Sequence, residues 1–154
     1  MKGGINMKVK ECMCTKVACV TPQDTISNIA KVMETNHVGC VPVCENSQQI
    51  CGIITDRDIV LRAVATGKNL AQTMASEIMT TNPCTCKQED DMKNAQNQMK
   101  QNQIRRLPVC DEQNRVIGML TFGDLANQQQ EIGEQQVSQT IQGVCDCHGK
   151  QNAE

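Results

Sequence analysis

The chain has 154 residues, of which 39% are hydrophobic and 21% charged, and its formal net charge is −2. These values are typical of a soluble globular protein with one ordinary domain or two small ones, and they exclude a disordered tail. No apolar run is long enough to cross a membrane, and the first residues lack the apolar stretch of a signal peptide. We therefore expect a cytoplasmic protein that does not contact a membrane. Neither half of the chain is basic enough to predict direct binding to nucleic acid.

The core residues that this composition offers are unusual. Phe122 is the only aromatic residue, whereas the chain has nine methionines and eleven cysteines. The core must therefore be built from aliphatic, methionine and cysteine side chains, and stacking of a base on aromatic rings is almost excluded. Thiols stay reduced in the cytosol, and their odd number argues against a complete disulfide framework. We expect most cysteines, among them Cys40, Cys44, Cys51 and Cys110, to be small buried hydrophobic residues.

An internal repeat organises the chain. Residues 13–59 align with residues 79–125 at a constant offset of 66 without a gap, and 12 of 47 positions are identical. About three identities would be expected by chance at this composition. The identical pairs are Met13/Met79, Thr15/Thr81, Asp24/Asp90, Asn28/Asn94, Met33/Met99, Asn36/Asn102, Pro42/Pro108, Val43/Val109, Cys44/Cys110, Gly52/Gly118, Thr55/Thr121 and Asp58/Asp124. The repeat predicts two copies of one supersecondary unit.

Each copy starts with the same predicted elements. In the first copy a short extended segment at 18–21 precedes a helix, whose apolar residues recur at helical spacing from Ile26 to Met33. Asp24 or Thr25 is the expected N-cap of this helix.

The second half of each copy is rich in β-strand signals. A run at 38–43 contains Pro42, which predicts a sheet edge or the start of a strand. After a polar turn, residues 50–55 predict a second strand, and a turn at 56–58 opens a second helix at 59–65. The order β-α-β-β-α in two copies predicts a mixed α+β fold.

These limits divide the chain into four parts. The first motif spans residues 8–66, a connector spans 67–78, the second motif spans 79–127, and a glutamine-rich tail spans 128–154. The tail predicts a partial helix through the apolar residues between Ile132 and Val144, although Gly133 weakens it.

Two short motifs at the same offset carry a family resemblance. Gly-Ile-Ile-Thr-Asp-Arg-Asp at 52–58 matches Gly-Met-Leu-Thr-Phe-Gly-Asp at 118–124, and each follows a Pro-Val pair at the same distance. With the Ser-Glu-Ile-Met-Thr sequence at 76–80, these motifs make residues 8–127 resemble a pair of cystathionine-β-synthase (CBS) domains.

The resemblance implies both an architecture and a function. Two CBS motifs would pack about a pseudo-two-fold axis as a Bateman module, with two clefts between them, and two chains would form a homodimer. The implied ligand contains adenosine, as AMP, ADP, ATP or S-adenosylmethionine do, and no further cofactor is required. No catalytic domain is visible, so we expect a stand-alone regulatory module that acts on an unidentified partner protein.

Thr55, Arg57 and Asp58 form the expected ligand site of the first copy. A carboxylate at the start of a helix can accept hydrogen bonds from a ribose diol. The Thr55 hydroxyl, the N–H groups of the first helical turn and the Arg57 guanidinium can reach a phosphate. Thr55 and Asp58 would equally serve as helix caps without any ligand.

The second copy differs at the same turn. It keeps Thr121 and Asp124, but Gly123 replaces the arginine. Arg105 and Arg106 precede its Pro-Val strand, where the first copy has a glycine and a cysteine. Either arginine can reach a phosphate, or both can be solvent-facing charges that protect a strand edge. We therefore expect the two clefts to bind ligand unequally.

The resemblance also implies an apolar slot for adenine, made by the first extended segment and the Pro-Val strand. Most of these residues would be core residues in any case. The positions implied are Val17, Ala18, Val20, Val38, Gly39 and Pro42 in the first copy, and Pro83, Cys84, Cys86, Ile104 and Pro108 in the second, and Thr15 is a further candidate ligand-binding residue.

Catalysis has no support in the sequence. His37 has no serine or cysteine nucleophile beside it, and neither a supported carboxylate pair nor a phosphate-binding loop is present. We therefore do not expect an enzyme.

Three Cys-x-Cys pairs keep a second function open, that of a thiol-based metal or redox sensor on the same scaffold. Their spacing is not that of usual zinc sites, so we predict no metal site. The residues that can supply soft ligands are Cys12, Cys14, Cys145, Cys147 and His148. Reversible thiol oxidation is the other form of this hypothesis.

Overall fold

The computed structural model describes residues 6–145, which form two compact units. The first unit contains residues 16–83 and 112–116, and the second unit contains the residues up to 15, residues 84–111 and those from 117 onward. Each unit has a three-stranded sheet with helices, which confirms the predicted mixed α+β class.

The first unit contains most of the first copy of the repeat. Its elements are α1 (Ile26–Asn36), β1 (Cys40–Cys44), β2 (Ile50–Thr55), α2 (Asp56–Asp58), α3 (Ala75–Ile78) and β3 (Thr80–Thr81). Helix α2 continues directly into a π-helical segment over Ile59–Val64. The sheet is antiparallel in the order β1-β2-β3, and Cys40 of β1 pairs with Thr55 of β2.

Helix α1 follows the predicted pattern closely. Ile26, Ile29 and Met33 lie in the core of the first unit, as their spacing predicts. Thr25 is the N-cap, because its hydroxyl accepts a backbone N–H of the first turn at 3.3 Å. The helix ends at His37, which is exposed and has the left-handed conformation with φ 53°.

The second unit contains most of the second copy and the tail. Its elements are β4 (Cys86–Lys87), α4 (Met92–Asn102), β5 (Arg106–Cys110), β6 (Val116–Thr121), α5 (Phe122–Asn127), α6 (Gln129–Ile132) and α7 (Glu134–Cys145). Its sheet has the order β4-β5-β6, and β4 is parallel to β5. Met99, Leu107, Leu120 and Leu125 are fully buried at its centre.

Each sheet is completed by the segment that begins the other copy of the repeat. In the first unit β3 pairs with β2, and Met79 lies so close to Gly52 that a Cβ there would be 2.5 Å from its sulfur. In the second unit Met13 lies in the same way on Gly118, at 2.7 Å from such a Cβ. A Cβ atom at Gly52 or Gly118 would collide with the methionine, so glycine leaves the room that the methionine side chain needs at both positions.

Backbone hydrogen bonds and an ion pair attach the amino-terminal segment to the rest of the second unit. Cys14 and Met119 exchange two backbone hydrogen bonds of 2.9 Å. A 3-10 helix at Val9–Glu11 precedes them, and Lys8 Nζ lies 2.6 Å from Asp91 Oδ1. The segment therefore belongs to the core structure of the second unit, although in sequence it lies at the start of the first motif.

The tail forms the predicted helix in two pieces. Gly133, with φ 108°, separates α6 from α7. Helix α7 packs on α4, where the buried Gln96 donates a hydrogen bond to Thr140 Oγ1 at 3.1 Å. Gly143 lets the Lys100 side chain approach α7 closely. None of the helices in residues 6–145 is both long and apolar enough to cross a membrane.

Three boundaries differ from the sequence-based prediction. The extended segment at 18–21 forms a single parallel bridge, from Val20 to Val43, because only two backbone hydrogen bonds join it to β1. Strand β1 begins at Cys40 rather than at residue 38, since the left-handed His37 turns the chain just before it. The second helix begins at Asp56 rather than at residue 59, because Thr55 caps it.

The contact between Met13 and Gly118 can be tested by substitution. We expect Gly118→Ala to lower the free energy of unfolding by about 1–3 kcal/mol, because the new methyl group would displace Met13 and press on the Cys14 carbonyl oxygen. Urea-induced unfolding measures the change.

The matched control is Gly123→Ala, in helix α5. A Cβ there would lie 3.5 Å from its nearest neighbour, an ordinary contact, so helix propensity predicts no loss of stability. Equal losses in the two variants would contradict the assigned role of Gly118.

Candidate ligand-binding site

The predicted Thr-x-x-Asp turn of the first unit closes on itself as a capping box. The Thr55 N–H donates to Asp58 Oδ2 at 2.9 Å, and the Asp58 N–H donates to Thr55 Oγ1 at 3.1 Å. These bonds satisfy two donors that the start of a helix leaves without partners. The turn therefore holds a carboxylate in a fixed position where β2 ends and α2 begins.

The second unit repeats the same box at β6 and α5. The Thr121 N–H donates to Asp124 Oδ2 at 2.9 Å, and the Asp124 N–H donates to Thr121 Oγ1 at 3.3 Å. The Thr121 hydroxyl also lies 3.0 Å from Asp124 Oδ2. Both aspartates are partly exposed, so their carboxylates remain accessible.

The first-turn N–H groups of the first unit are already engaged by the protein. The Asp56 N–H donates to the Gly39 carbonyl oxygen at 2.9 Å, and the Arg57 N–H donates to Asp56 Oδ1 at 2.9 Å. The sequence predicts that these N–H groups bind a phosphate. Because they have partners, the exposed Arg57 guanidinium is the better phosphate donor at this turn.

Arg62 is a residue of this turn that the sequence reasoning missed. Its Nη1 donates to the Ile78 carbonyl oxygen at 2.9 Å and to Thr80 Oγ1 at 3.3 Å, and its Nε lies 3.7 Å from Asp58 Oδ1. The i,i+4 spacing of Asp58 and Arg62 was the signal that could have found it. The second copy has Gln128 at this position, so Asp124 lacks the corresponding cation.

The structure divides the predicted contact residues between the two units. The first unit contains Val17, Ala18, Val20, Val38, Gly39, Pro42, Thr55, Arg57, Asp58 and Pro83. The second unit contains Thr15, Cys84, Cys86, Ile104, Arg105, Arg106, Pro108, Thr121 and Asp124.

In the first unit several of these residues surround β1. The Val20 N–H donates to the Pro42 carbonyl oxygen at 3.0 Å on one side of the strand, and Thr55 pairs with Cys40 on the other. Pro42 and Cys40 are two residues apart, about 7 Å along a strand. Thr55 thus lies beside the first residue of β1, whereas Val20 lies beside its second half. Val38 precedes it and is 38% exposed.

In the second unit the candidates meet at the start of β5. The Phe122 N–H donates to the Arg105 carbonyl oxygen at 3.2 Å, which places Arg105 beside the capping box. Arg105 is exposed and Arg106 is partly exposed, whereas Cys86 and Pro108 are buried. The arginines are therefore accessible at this turn, and the buried residues serve the core.

Most of the cysteines predicted to be core residues are buried. Cys40, Cys44 and Cys110 are buried as predicted, and Cys51 is half-buried. No group of three histidine, cysteine or acidic residues that could hold a metal ion occurs in residues 6–145. Cys147 and His148 of the predicted ligand set lie outside the described residues.

Within the predicted metal-ligand set, Cys12 and Cys14 differ in environment. Cys14 is exposed, whereas Cys12 is buried and its thiol donates to the Asp124 carbonyl oxygen at 3.5 Å. Burial, with a smaller contribution from the Asp124 charge, raises the pKa of Cys12 to about 11. Without a bound metal ion the Cys12 thiol is therefore protonated at neutral pH.

Comparison with known proteins identifies relatives over most of the chain. The sequence model of the CBS domain matches residues 9–64 and 75–131. A curated relative, the CBS domain-containing protein YhcV of Bacillus subtilis (strain 168), is 42% identical over 118 residues, which cover 77% of this chain and 82% of the relative.

Solved structures show the same fold. The CBS domain pair of protein MJ0100, crystallised in complex with 5′-methylthioadenosine and S-adenosyl-L-methionine, has a TM-score of 0.72 and 26% identity, covering 79% of this chain and 98% of that one. Hypoxic Response Protein I, with two coordinated zinc ions, also has a TM-score of 0.72, at 28% identity and with coverage of 79% and 98%.

The family match falls on both copies of the repeat and includes both capping boxes. The architecture of two three-stranded sheets with helices agrees with it. The chain therefore belongs to the CBS domain family, of which it contains two domains.

Proposed function

We propose that the chain is a regulatory module that binds an adenosine-containing ligand and acts on a partner protein without catalysing a reaction. AMP, ADP, ATP and S-adenosylmethionine are the candidate ligands. The observation that carries this proposal is the recurrence of one capping box, at 55–58 and at 121–124, with a partly exposed carboxylate in each.

The ribose is the part of the ligand that these turns are suited to bind. In each box the backbone hydrogen bond engages Oδ2 of the aspartate. The lone pairs on Oδ1 can accept hydrogen bonds from the two hydroxyl groups of a ribose. Hydrogen bonds to a charged acceptor are stronger than neutral ones, so a fixed carboxylate suits a cis-diol.

Unequal binding at the two turns follows from their different cations. At the first turn Arg57 can pair with a phosphate, and Arg62 lies near the carboxylate of Asp58. At the second turn Gly123 and Gln128 replace both arginines, and Arg105 is the cation beside the box. We expect phosphate recognition to depend on Arg57 at the first turn and on Arg105 at the second.

The relative in complex with adenosine compounds supports the choice of ligand class. The MJ0100 domain pair is 26% identical to this chain and contains 5′-methylthioadenosine and S-adenosyl-L-methionine. Both compounds share the ribose and adenine that the proposed site would bind.

Association of two chains is part of the proposal. Val60, Leu61 and Val64 follow α2 and are 54%, 48% and 54% exposed. All three are exposed apolar side chains of the π-helical segment over Ile59–Val64, and together they form an apolar face. Because a two-fold dimer uses the same patch on both subunits, this face can bury itself against its copy.

Binding can be measured by calorimetric titration of AMP, ATP and S-adenosylmethionine into the reduced protein and its Asp58→Asn and Asp124→Asn variants. Asparagine keeps an oxygen for the capping hydrogen bond but loses the charge and one acceptor. We expect affinity at the altered turn to fall about tenfold or more, because charged hydrogen bonds contribute about 1.5–3 kcal/mol each.

Asp24→Asn is the matched control, because Asp24 also accepts a backbone N–H, from Thr21 at 2.7 Å, but lies outside both boxes. Its affinity should equal that of the wild type. The absence of heat with all three ligands, or wild-type binding by both the Asp58 and Asp124 variants, would refute the proposed site.

The dimer face is tested by light scattering coupled to size exclusion. We expect the wild type to elute as a dimer and Leu61→Glu as a monomer, because a charge cannot be buried unpaired in the interface. Asn127→Glu changes the equivalent position of the second copy and should remain a dimer. A monomeric wild type or a dimeric Leu61→Glu variant would contradict the assignment.

A further inference from the structure

Arg62 joins the first capping box to the segment that begins the second copy of the repeat. Its Nη1 donates to the Ile78 carbonyl oxygen at 2.9 Å and to Thr80 Oγ1 at 3.3 Å. Its Nε lies 3.7 Å from Asp58 Oδ1. One guanidinium therefore contacts the end of α3, the start of β3 and the carboxylate that is proposed to bind ribose.

The contact of Arg62 with Asp58 is an ion pair rather than a hydrogen bond. A distance of 3.7 Å is too long for a hydrogen bond between a guanidinium and a carboxylate, which usually measures about 2.7–2.9 Å. Asp58 Oδ2 accepts the Thr55 N–H, so Oδ1 is the oxygen that faces Arg62. Because Nη1 is bonded to the segment at 78–80, the guanidinium stays at this distance and Oδ1 can accept hydrogen bonds from a ligand.

Strand β3 is the shortest strand of the first sheet. It has two residues, both exposed, and they pair with Gly52 and Ile53 of β2. A segment with so few backbone hydrogen bonds opens at a lower free energy than the core strands do. The two hydrogen bonds from Arg62 therefore contribute substantially to the position of β3.

Opening of β3 would change the contacts that Arg62 makes at the turn. Once Ile78 and Thr80 have moved away, the guanidinium can approach the Asp58 carboxylate to hydrogen-bonding distance, which its planar shape favours. Such a pair would occupy Oδ1, the oxygen that the ribose hydroxyl groups need. A ligand at this turn therefore binds more tightly when β3 is paired with β2, and a difference of this kind is what a shift of population requires.

We propose that Arg62 is a positioning residue that couples ligand binding at Asp58 to the pairing of β3 with β2. The coupling rests on the proposed function, because the ligand would act through Asp58 Oδ1. The anchoring of β3 by Arg62 does not rest on it. Coupling between two equilibria is reciprocal, so a ligand that prefers the paired state must stabilise that state.

The second unit lacks the residue that this coupling needs. At the offset of 66, Gln128 takes the position of Arg62, and Cys14 takes that of Thr80. Cys14 exchanges two backbone hydrogen bonds of 2.9 Å with Met119. The amino-terminal segment at 12–16 is therefore an internal reference for the effect of Arg62 on β3.

Hydrogen exchange measured by mass spectrometry tests the anchor without any ligand. Arg62→Gln keeps a polar side chain but loses the charge and the planar guanidinium. We expect the amides of residues 79–82 to exchange about tenfold or more faster than in the wild type, because hydrogen bonds from a charged group are the stronger class. Residues 12–16 should exchange at the wild-type rate. The matched control is Lys68→Gln, which removes the charge of an exposed residue in the same unit and should leave both segments unchanged.

The coupling is tested by adding saturating AMP, ATP or S-adenosylmethionine to the Asp124→Asn variant, in which only the first turn keeps its carboxylate. For each compound that binds by calorimetry, we expect exchange at 79–82 to slow about fivefold or more. With Arg62→Gln added, the compound should still bind but no longer slow the exchange, because glutamine has no charge with which to compete for Asp58. A purely structural arginine would change the exchange rate but not its response to ligand.

Each outcome decides a separate point. Wild-type exchange at 79–82 in Arg62→Gln would overturn the anchor and the coupling together. Binding of a compound without slower exchange at 79–82 would overturn the coupling and leave the proposed function intact. If none of the three compounds binds, the proposed function and the coupling are both refuted, while the ligand-free exchange still decides the anchor. If a variant does not fold, exchange of the wild type with and without the compounds decides the coupling.

Discussion

The contact of a methionine with a glycine inside each sheet is the constraint on which the rest of the structure depends. Met79 occupies the space that a Cβ of Gly52 would fill, and Met13 does the same at Gly118. The thioether is flexible enough to fit this space, and glycine is needed because any side chain would close it. The same methionine–glycine contact occurs in both units, because both residues are identical in the two copies of the repeat. In each unit this contact determines which segment completes the sheet.

The local elements were largely predictable from the sequence. Strand β2 has the predicted limits at 50–55, and the buried face of α1 has the predicted residues, because periodicity and capping act within a few neighbouring positions. The sequence does not predict that Met13 packs in the second unit and Met79 in the first. The pairing of residue 14 with residue 119 depends on tertiary packing, which leaves no local pattern in the sequence.

The candidate site was predictable in its residues but only partly in its chemistry. Thr55 and Asp58 stand out because of the repeat, yet their capping hydrogen bonds serve the fold, and the proposed ligand role would use the same side chains. Arg62 escaped notice because its partners, Ile78 and Thr80, lie far along the chain. Part of the asymmetry between the two turns therefore comes from a helix position outside the recognisable motif, in addition to the replacement of Arg57 by Gly123 within it.

The amino-terminal segment is synthesised long before its packing partners in the second unit. Residues 6–15 leave the ribosome before the rest of the second unit, and their sheet partner at Met119 follows about a hundred residues later. At usual rates of synthesis this interval is about 5–20 s. During it Val9, Cys12 and Met13 have no core to enter, while α1, β1 and β2 can already assemble. The growing chain thus exposes an apolar segment that a molecular chaperone could bind until the second unit has been synthesised.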